Sequence, residues 1–263
     1  ERAGKSVALE EIKVQIEISA PDTETVKLVE NAAANGTFTL VAPPVEFTVR
    51  AIFGDQTVEV ARFNAYVERT IAIPEGVDPN RMTTGVVVDP DGTVRHVPTK
   101  IVFIDGKYYA RISSLTNSTY SVVWHPLEFA DMANHWAKDA ANDMGSRMVI
   151  GGTGNGLFSP DREITRAEFA AMIVRGLGLK VESGAAAFTD VEASDWYGGT
   201  VSTAAEYGLI SGLDDGTFRP NERITREQAM TIIAKAMKVT GLKDKLPEPS
   251  ADAALGAFAD AAA

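Results

Sequence analysis

The sequence contains no cysteine among its 263 residues. Disulfide frameworks, thiol catalysis and every cysteine-based metal site are therefore excluded. Histidine is also scarce: the three present are His96, His125 and His135, and no two of them have the spacing of a pair of metal ligands. We predict that the protein holds no metal ion and no cofactor.

Positive charge and long apolar runs are scarce as well. The chain has 25 Lys and Arg against 36 Asp and Glu, a net charge of -11, so it lacks the basic surface that nucleic-acid binding needs. No apolar run approaches the roughly 18–20 residues of a membrane span. The first residues contain no signal-peptide core, which indicates either a cytosolic chain or a mature or excised fragment. We expect neither nucleic-acid binding nor membrane insertion.

Residues 1–127 show the apolar period of two that is typical of strands. The clearest example is the half-buried pattern of Ile12, Val14, Ile16 and Ile18. Asp-Gly or Gly-Asp turns at 54–55, 91–92 and 105–106 separate strand pairs, and Pro43-Pro44 is a further break. We predict eight to ten antiparallel strands in a sandwich-like domain. Residues 23–35 are either a short helix or a long loop.

After residue 127 the pattern becomes helical and repeats. Landmarks recur 59 or 60 positions apart: Phe129-Ala130-Asp131 and Phe188-Thr189-Asp190, His135-Trp136 and Asp195-Trp196, Gly156–Pro160 and Gly216–Pro220, Ile164–Arg166 and Ile224–Arg226. Such a period marks a repeated unit that must pack against its neighbours. A third start, Phe258-Ala259-Asp260, is followed only by three alanines, so we expect at most one complete groove between copies.

Each copy is predicted to form a helical hairpin. In the first copy, one helix spans about 134–147, with Trp136 on its apolar face, and a second helix opens at Thr165. Thr165 with Glu168 and Thr225 with Gln228 have the spacing of capping boxes. Apolar stripes follow at Phe169, Met172, Ile173 and Leu177, and at Ala229, Ile232, Ile233 and Met237.

Two residue types in the repeats leave alternatives open. Arg166 and Arg226 fall at the first helical position, where a cation opposes the helix dipole. Each arginine either forms an anion site with free helix N–H groups or bridges to a carboxylate such as Asp131 or Asp190. Trp136 and Trp196 are either core residues or platforms for sugar rings.

Other motifs in the sequence give little evidence of a binding or catalytic site. The glycine-rich run 151–156 is not a phosphate-binding loop, and 214–216 lacks the ligand pattern of an EF-hand. Asp131 and Asp190 are expected to cap the helix that follows each rather than to act in catalysis. No Ser/His/Asp arrangement is present, and no paired-carboxylate site stands out in residues 1–127.

Together the repeated motifs Phe129-x-Asp131, His135-Trp136-Ala137, Phe158-x-Pro160 and Ile164–Ala171, with their second copies, resemble the S-layer homology domain family. The resemblance covers about residues 128–240, plus the start at Phe258. Residues 1–127 resemble, more weakly, the β-rich segment that precedes such repeats in surface proteins of Paenibacillus-like Gram-positive bacteria.

The resemblance implies a non-catalytic, extracellular anchoring protein of the cell wall or S-layer. Family members bind secondary cell-wall polysaccharide, often through a pyruvylated sugar, in grooves of a pseudo-threefold bundle. By motif position, the carbohydrate-binding residues implied here are Arg166, Arg226, Asp131, Asp190, Trp136, Trp196, Gly152 and Gly212.

The expected fold class is α+β multidomain, with an antiparallel β-sandwich-like domain followed by all-α helical-hairpin repeats. The expected ranges are 1–127 for the β-rich spacer, 128–184 and 185–245 for the two repeats, and 246–263 for a linker and truncated third repeat. Two alternatives stay open: a fragment of a surface-anchored glycoside hydrolase, and a structural S-layer lattice protein with lateral β-domain contacts. Self-association through the third repeat or the β-domain is a further expected partner interaction.

Overall fold

A computed structural model describes residues 9–182 and 188–246. In this part of the chain, nine strands and one helix precede four further helices, so the fold is α+β as predicted. The strands are β1 (Lys13–Ser19), β2 (Thr39–Phe53), β3 (Gln56–Glu59), β4 (Arg62–Ala72), β5 (Thr84–Val88), β6 (Val94–Val97), β7 (Thr99–Ile104), β8 (Lys107–Thr116) and β9 (Thr119–Trp124). The helices are α1 (Thr23–Gly36), α2 (Lys138–Ser146), α3 (Arg166–Gly176), α4 (Gly198–Glu206) and α5 (Arg226–Val239). The third repeat start at Phe258 lies outside the described residues.

The strands form two antiparallel sheets that face each other. The larger sheet has the order β1-β2-β9-β5-β6, with β3 also paired to β2, and the smaller sheet has the order β4-β8-β7. Apolar side chains of both sheets share one core, which includes Phe47, Val87 and Tyr120 from the larger sheet and Ile71 and Ile112 from the smaller one. The other face of the larger sheet is covered by α1. The predicted sandwich is confirmed, with a helix as an added third layer.

The open choice for residues 23–35 is settled in favour of a helix, and one expected break is wrong. Asp22 caps α1 by accepting a hydrogen bond from the Thr25 N–H at 2.7 Å. Pro43 and Pro44 do not separate strands but lie inside β2, where the register with β9 shifts. Proline is tolerated at such irregular pairings because it has no N–H to donate to the ladder.

The predicted strand at 12–18 exists, but its expected half-burial is wrong. In β1, Val14, Ile16 and Ile18 are 65%, 67% and 63% exposed. Ile18 lies opposite Phe47 in the register with β2, and Phe47 belongs to the core between the sheets. The three apolar side chains are therefore on the core-facing side of the larger sheet. They stay exposed because β1 is the outermost strand, and the three-stranded sheet is too narrow to cover it.

Both predicted capping boxes are confirmed, whereas the start of the first helix is wrong. The Thr165 N–H donates to Glu168 Oε2 at 2.9 Å and the Glu168 N–H donates to Thr165 Oγ1 at 3.2 Å, and Thr225 and Gln228 repeat this arrangement. In each repeat the first helix begins only after the tryptophan, so Trp136 lies in a turn before α2. A 3-10 turn at Ala130–Met132 and the turn after it take up the chain that was predicted to be helical.

The apolar stripes of the second helices are only partly as predicted. In α3 the buried face consists of Ala167, Ala170, Ala171 and Val174, while the larger Phe169, Ile173 and Leu177 pack at its margin. The small side chains let α3 lie close to α4. In α5, Ile232 is buried but Ile233 is 44% exposed.

The β-rich and helical parts share a packed junction. Leu115 of β8 belongs to the same buried cluster as Val174 of α3 and Val201 of α4. Tyr66 donates a 2.6 Å hydrogen bond to the carbonyl of Leu177. Arg95 donates to the Gly178 carbonyl at 2.8 Å while pairing with Asp89 at 3.2 Å. The two parts therefore meet through side-chain packing as well as through the chain that links them.

Candidate functional site

The most distinctive charged group of the repeats is the guanidinium of Arg166. Its side chain extends from the first turn of α3 onto the second repeat, where Nε donates to the Phe218 carbonyl at 2.8 Å. The guanidinium carbon lies 4.7 Å from the centre of the Phe218 ring, within the range of a cation–π contact. Arg166 is only 8% exposed. The first repeat thus places a nearly buried cation in the groove between the repeats.

This cation has no ion-pair partner in residues 9–182 and 188–246. The structural alternative, a bridge from Arg166 to Asp131 or Asp190, is therefore wrong for this arginine. Burial is the main cause that lowers the pKa of Arg166, and Glu222 acts in the opposite sense. An arginine still carries its charge at neutral pH after a modest downward shift. The groove consequently contains a positive charge without a carboxylate bound to it.

The N-terminus of α3 is not open to a ligand, contrary to the premise of free N–H groups. The N–H of Arg166 donates to the Glu222 carbonyl at 2.9 Å and that of Ala167 to the Pro220 carbonyl at 3.0 Å. The next N–H, of Glu168, is taken by the capping box. An anion in this groove would therefore meet the guanidinium and not the helix end.

A cavity of about 340 Å³ opens beside Arg166. Its lining combines one apolar wall with polar groups from α5. Lys235 lies in this lining and its Nζ donates to Ser211 Oγ at 3.0 Å. Glu227 is the one carboxylate of the described lining, against two cations. The full lining is Arg166, Leu209, Ile210, Ser211, Phe218, Ile224, Glu227, Gln228, Thr231, Ile232 and Lys235.

The two aspartates hold loops of their own repeats. Asp190 accepts hydrogen bonds from the N–H groups of Phe218 at 2.7 Å and Arg219 at 2.8 Å. Asp131 does the same for Phe158 and Ser159 at 2.9 and 2.7 Å, and these bonds lower the pKa of Asp131. The expectation that each aspartate caps the helix after it is wrong. Asp190 instead fixes Phe218, the residue that Arg166 contacts.

The two glycines of the predicted site are required by packing. A Cβ on Gly212 would come within 2.6 Å of Phe188 Cε1 and 2.9 Å of the Thr217 carbonyl oxygen. A Cβ on Gly152 would meet the Leu157 carbonyl oxygen at 2.4 Å and the Phe129 ring at 2.7 Å. Gly212, Phe188, Phe218 and Arg166 form a continuous stack, in which the two phenylalanine rings are 5.3 Å apart.

The two tryptophans are exposed, so the alternative that they are core residues is wrong. Trp136 is 91% exposed and Trp196 is 63% exposed. Each lies beside a neighbouring ring, His135 at 5.5 Å and Tyr197 at 5.3 Å between ring centres. Neither indole is in the described lining of the Arg166 cavity.

The family model of the S-layer homology domain matches residues 128–170 and 187–230. The chain carries two S-layer homology domains. These SLH domains are non-catalytic anchoring modules of extracellular, cell-wall-associated proteins. In residues 9–182 and 188–246, no helix is long and apolar enough to cross a bilayer, and no three His, Asp or Glu side chains are grouped to hold a metal ion.

Curated relatives include both enzymes and surface proteins. An amylopullulanase of Thermoanaerobacterium thermosulfurigenes is 30% identical over 222 residues, 81% of this chain and 11% of that protein. An exoglucanase XynX of Acetivibrio thermocellus is 35% identical over 125 residues, 48% of this chain and 11% of that protein. A surface layer protein of Brevibacillus choshinensis is 34% identical over 137 residues, 48% of this chain and 12% of that protein. The chain thus spans about a tenth of the length of these relatives.

Of the residues predicted for the SLH site, the structure brings only some together. Arg166 lines the cavity, while Asp190 and Gly212 position the Phe218 ring beneath it. Arg226, the counterpart in the second SLH domain, is exposed, and its side chain has no hydrogen-bond or ion-pair partner in the described part of the chain. The repeats are therefore equivalent in sequence but not in surroundings.

Sequence reasoning missed the polar side of this groove. Gln228, Thr231 and Lys235 line the cavity from one face of α5. Their spacing of three and four residues places them on one side of a helix, beside the apolar stripe. That spacing was a usable signal, but only the position of α5 against Arg166 shows which polar face of the repeat borders a groove.

Proposed function

We propose that the two SLH domains anchor this chain non-covalently to an anionic secondary cell-wall polysaccharide. The observation that carries the proposal is the unpaired guanidinium of Arg166 in the groove between the domains. A nearly buried cation costs free energy unless a counter-charge is supplied, and a bound anionic sugar would supply it.

The lining fits a sugar that carries a carboxylate, such as a pyruvyl ketal. The guanidinium would donate two N–H groups to the two carboxylate oxygens, and Lys235 would supply a second cation. Ile224 and Ile232 offer apolar contact to the ring, and Gln228 and Thr231 offer hydrogen bonds to hydroxyl groups. In this proposal Trp136 and Trp196 stack on further sugar units along the polymer, and Arg226 serves a second groove.

The test is co-sedimentation with purified cell-wall sacculi that retain the secondary polymer. Replacing Arg166 with Ala should weaken binding at least about 30-fold, because charge-assisted hydrogen bonds contribute roughly 2 kcal/mol or more. Arg166→Lys should restore part of the affinity. Arg111→Ala, which removes a partly exposed arginine on β8 outside both SLH domains, is the matched control and should leave binding unchanged. Circular dichroism checks that each variant is folded.

A second arm identifies the sugar charge. Mild acid removes a pyruvyl ketal from the sacculi, and the wild-type chain should then bind as weakly as Arg166→Ala does to untreated sacculi. Equal binding of the wild-type chain and folded Arg166→Ala to untreated sacculi would refute the role of Arg166.

We further propose that residues 1–127 form a non-catalytic module that spaces the anchor from the rest of a larger surface protein. The enzyme names of several relatives favour a second candidate, in which the larger protein is a surface glycoside hydrolase. Assays of this chain on pullulan and xylan should show no turnover if residues 1–127 are a spacer, and turnover would favour the hydrolase candidate. The relatives named as surface layer proteins favour a third candidate, a lattice protein.

A further inference from the structure

The outer edge of β1 has no hydrogen-bonded neighbouring strand in the described residues of the β-rich domain. β1 is the last strand of the larger sheet. Six of its seven residues are exposed on both faces of the sheet. An exposed edge of this length offers a row of N–H and C=O groups to another strand.

The apolar face of β1 is unpartnered as well. Val14, Ile16 and Ile18 lie on the core-facing side of the sheet, beyond the reach of the smaller sheet. Scattered single apolar residues are normal on a surface, but three neighbouring apolar side chains on the same face of one strand form a continuous patch. Soluble proteins usually protect such an edge with a bulge, a proline or a covering element. β1 pairs with β2 without a register shift and contains no proline.

The sequence of β1 is complementary to itself when two copies run antiparallel. If Gln15 faces the Gln15 of the other copy, Lys13 faces Glu17 and Val14 faces Ile16. Residues directly opposite each other lie on the same face of the sheet, so apolar side chains meet apolar ones. Moving the centre to Ile16 places Gln15 opposite Glu17, and moving it to Val14 places Lys13 opposite Gln15. The register centred on Gln15 therefore joins opposite charges.

The position of Glu17 supports this arrangement. Its carboxylate is held by Arg50 Nη1 of β2 at 2.5 Å, and both side chains remain partly exposed. The carboxylate is therefore fixed on the polar face of β1, where the Lys13 ammonium of a second copy would approach.

We propose that β1 is a self-association site at which two copies of this chain pair antiparallel, centred on Gln15. The contact is isologous, so each Lys13–Glu17 pair forms twice about a twofold axis. It extends the larger sheet continuously from one copy into the other. Because this register aligns only residues 13–17 of each β1, the interface is small, and we expect a dissociation constant between about 1 µM and 1 mM.

A charge-reversal pair tests the register. In Lys13→Glu the facing residues of a homodimer are both acidic, and in Glu17→Lys both are basic. Each variant alone should therefore sediment as a monomer at concentrations where the wild-type chain dimerises. An equimolar mixture should dimerise again, because in the mixed dimer every facing pair has opposite charge.

A cross-link provides an independent measurement. The chain has no cysteine, so Gln15→Cys introduces one thiol that faces its own copy across the pair. Mild oxidation should convert this variant into a disulfide-linked dimer. Lys100→Cys, an exposed position on the outer strand β7 of the smaller sheet, is the matched control and should form no disulfide-linked dimer.

The results separate this proposal from the other occupants of the edge. If the wild-type chain is monomeric up to about 1 mM, the self-association proposal is overturned. The edge of β1 would then be available to pair with a segment elsewhere in a larger protein. Dimers that persist in both charge-reversal variants overturn the β1 register and indicate a contact elsewhere. Recovery in the mixture together with cross-linking at position 15 supports it, and neither outcome depends on wall binding.

Discussion

Substituting Gly212 with Ala tests whether this glycine serves packing. The added Cβ would lie 2.6 Å from Phe188 Cε1, 2.8 Å from Cδ1 and 2.9 Å from the Thr217 carbonyl oxygen. Ordinary contacts are about 3.5–4 Å, so the ring would have to move by roughly 1 Å. Phe188 cannot move freely because it stacks on Phe218, which is held by Asp190 and lies beneath Arg166.

Overpacking of this kind costs about 1–3 kcal/mol, which for a chain of this size lowers the melting temperature by about 2–10 °C. Thermal unfolding followed by circular dichroism measures the change. Gly151→Ala is the matched control, because a Cβ there meets nothing within 4 Å and the backbone needs no positive φ. An unchanged melting temperature in Gly212→Ala would refute the packing role and return Gly212 to the candidates for direct sugar contact.

Two further predictions concern buried ionisable side chains in the β-rich domain. Arg69 is 5% exposed and donates to the Thr116 carbonyl at 2.8 Å and to Asn117 Oδ1 at 2.9 Å, so Arg69→Leu should lower the free energy of unfolding by about 3 kcal/mol in urea titrations. Unaltered stability would show that these acceptors find other donors. Burial lowers the pKa of His96 to about 4, so the unfolded chain binds a proton below about pH 6.5 while the native state does not. Stability present above pH 6.5 should therefore fall by up to about 3 kcal/mol as the pH approaches 4, and folded His96→Gln should lack this part of the decline. If folded His96→Gln shows the same pH dependence of stability as the wild-type chain, His96 is not the cause of the decline.

Local features of the fold were predictable from the sequence. The capping boxes need only a threonine and a Glu or Gln three residues later, so Thr165 and Thr225 were sufficient signals. The Asp105-Gly106 pair likewise fixes a two-residue hairpin, with φ angles of 50° and 80°.

Burial was harder to predict because it depends on distant elements. The alternation in β1 correctly indicates a strand, but whether Val14 and Ile16 are covered depends on the width of the smaller sheet, which β4, β7 and β8 form. For the same reason Trp136 could not be assigned to core or surface, since its exposure depends on the position where α2 begins.

The candidate site likewise has features that the local sequence predicts and features that depend on distant elements. The arginine at the first helical position was visible in both repeats, and its unusual charge marked it as a candidate. The difference between Arg166 and Arg226 was not visible, because it arises from what the neighbouring repeat places beside each side chain. Phe218 and Lys235 were missed for the same reason.

The packed junction between the two parts has a consequence for how the protein unfolds. Leu115, Tyr66 and Arg95 tie the strands to α3 and the segment after it. Loss of either part would expose apolar surface and carbonyl groups of the other, so we expect the two parts to melt in one cooperative transition. A load applied to the sheets would reach the helices through these side chains as well as along the backbone, and the orientation of the sheets would be fixed by that of the anchor.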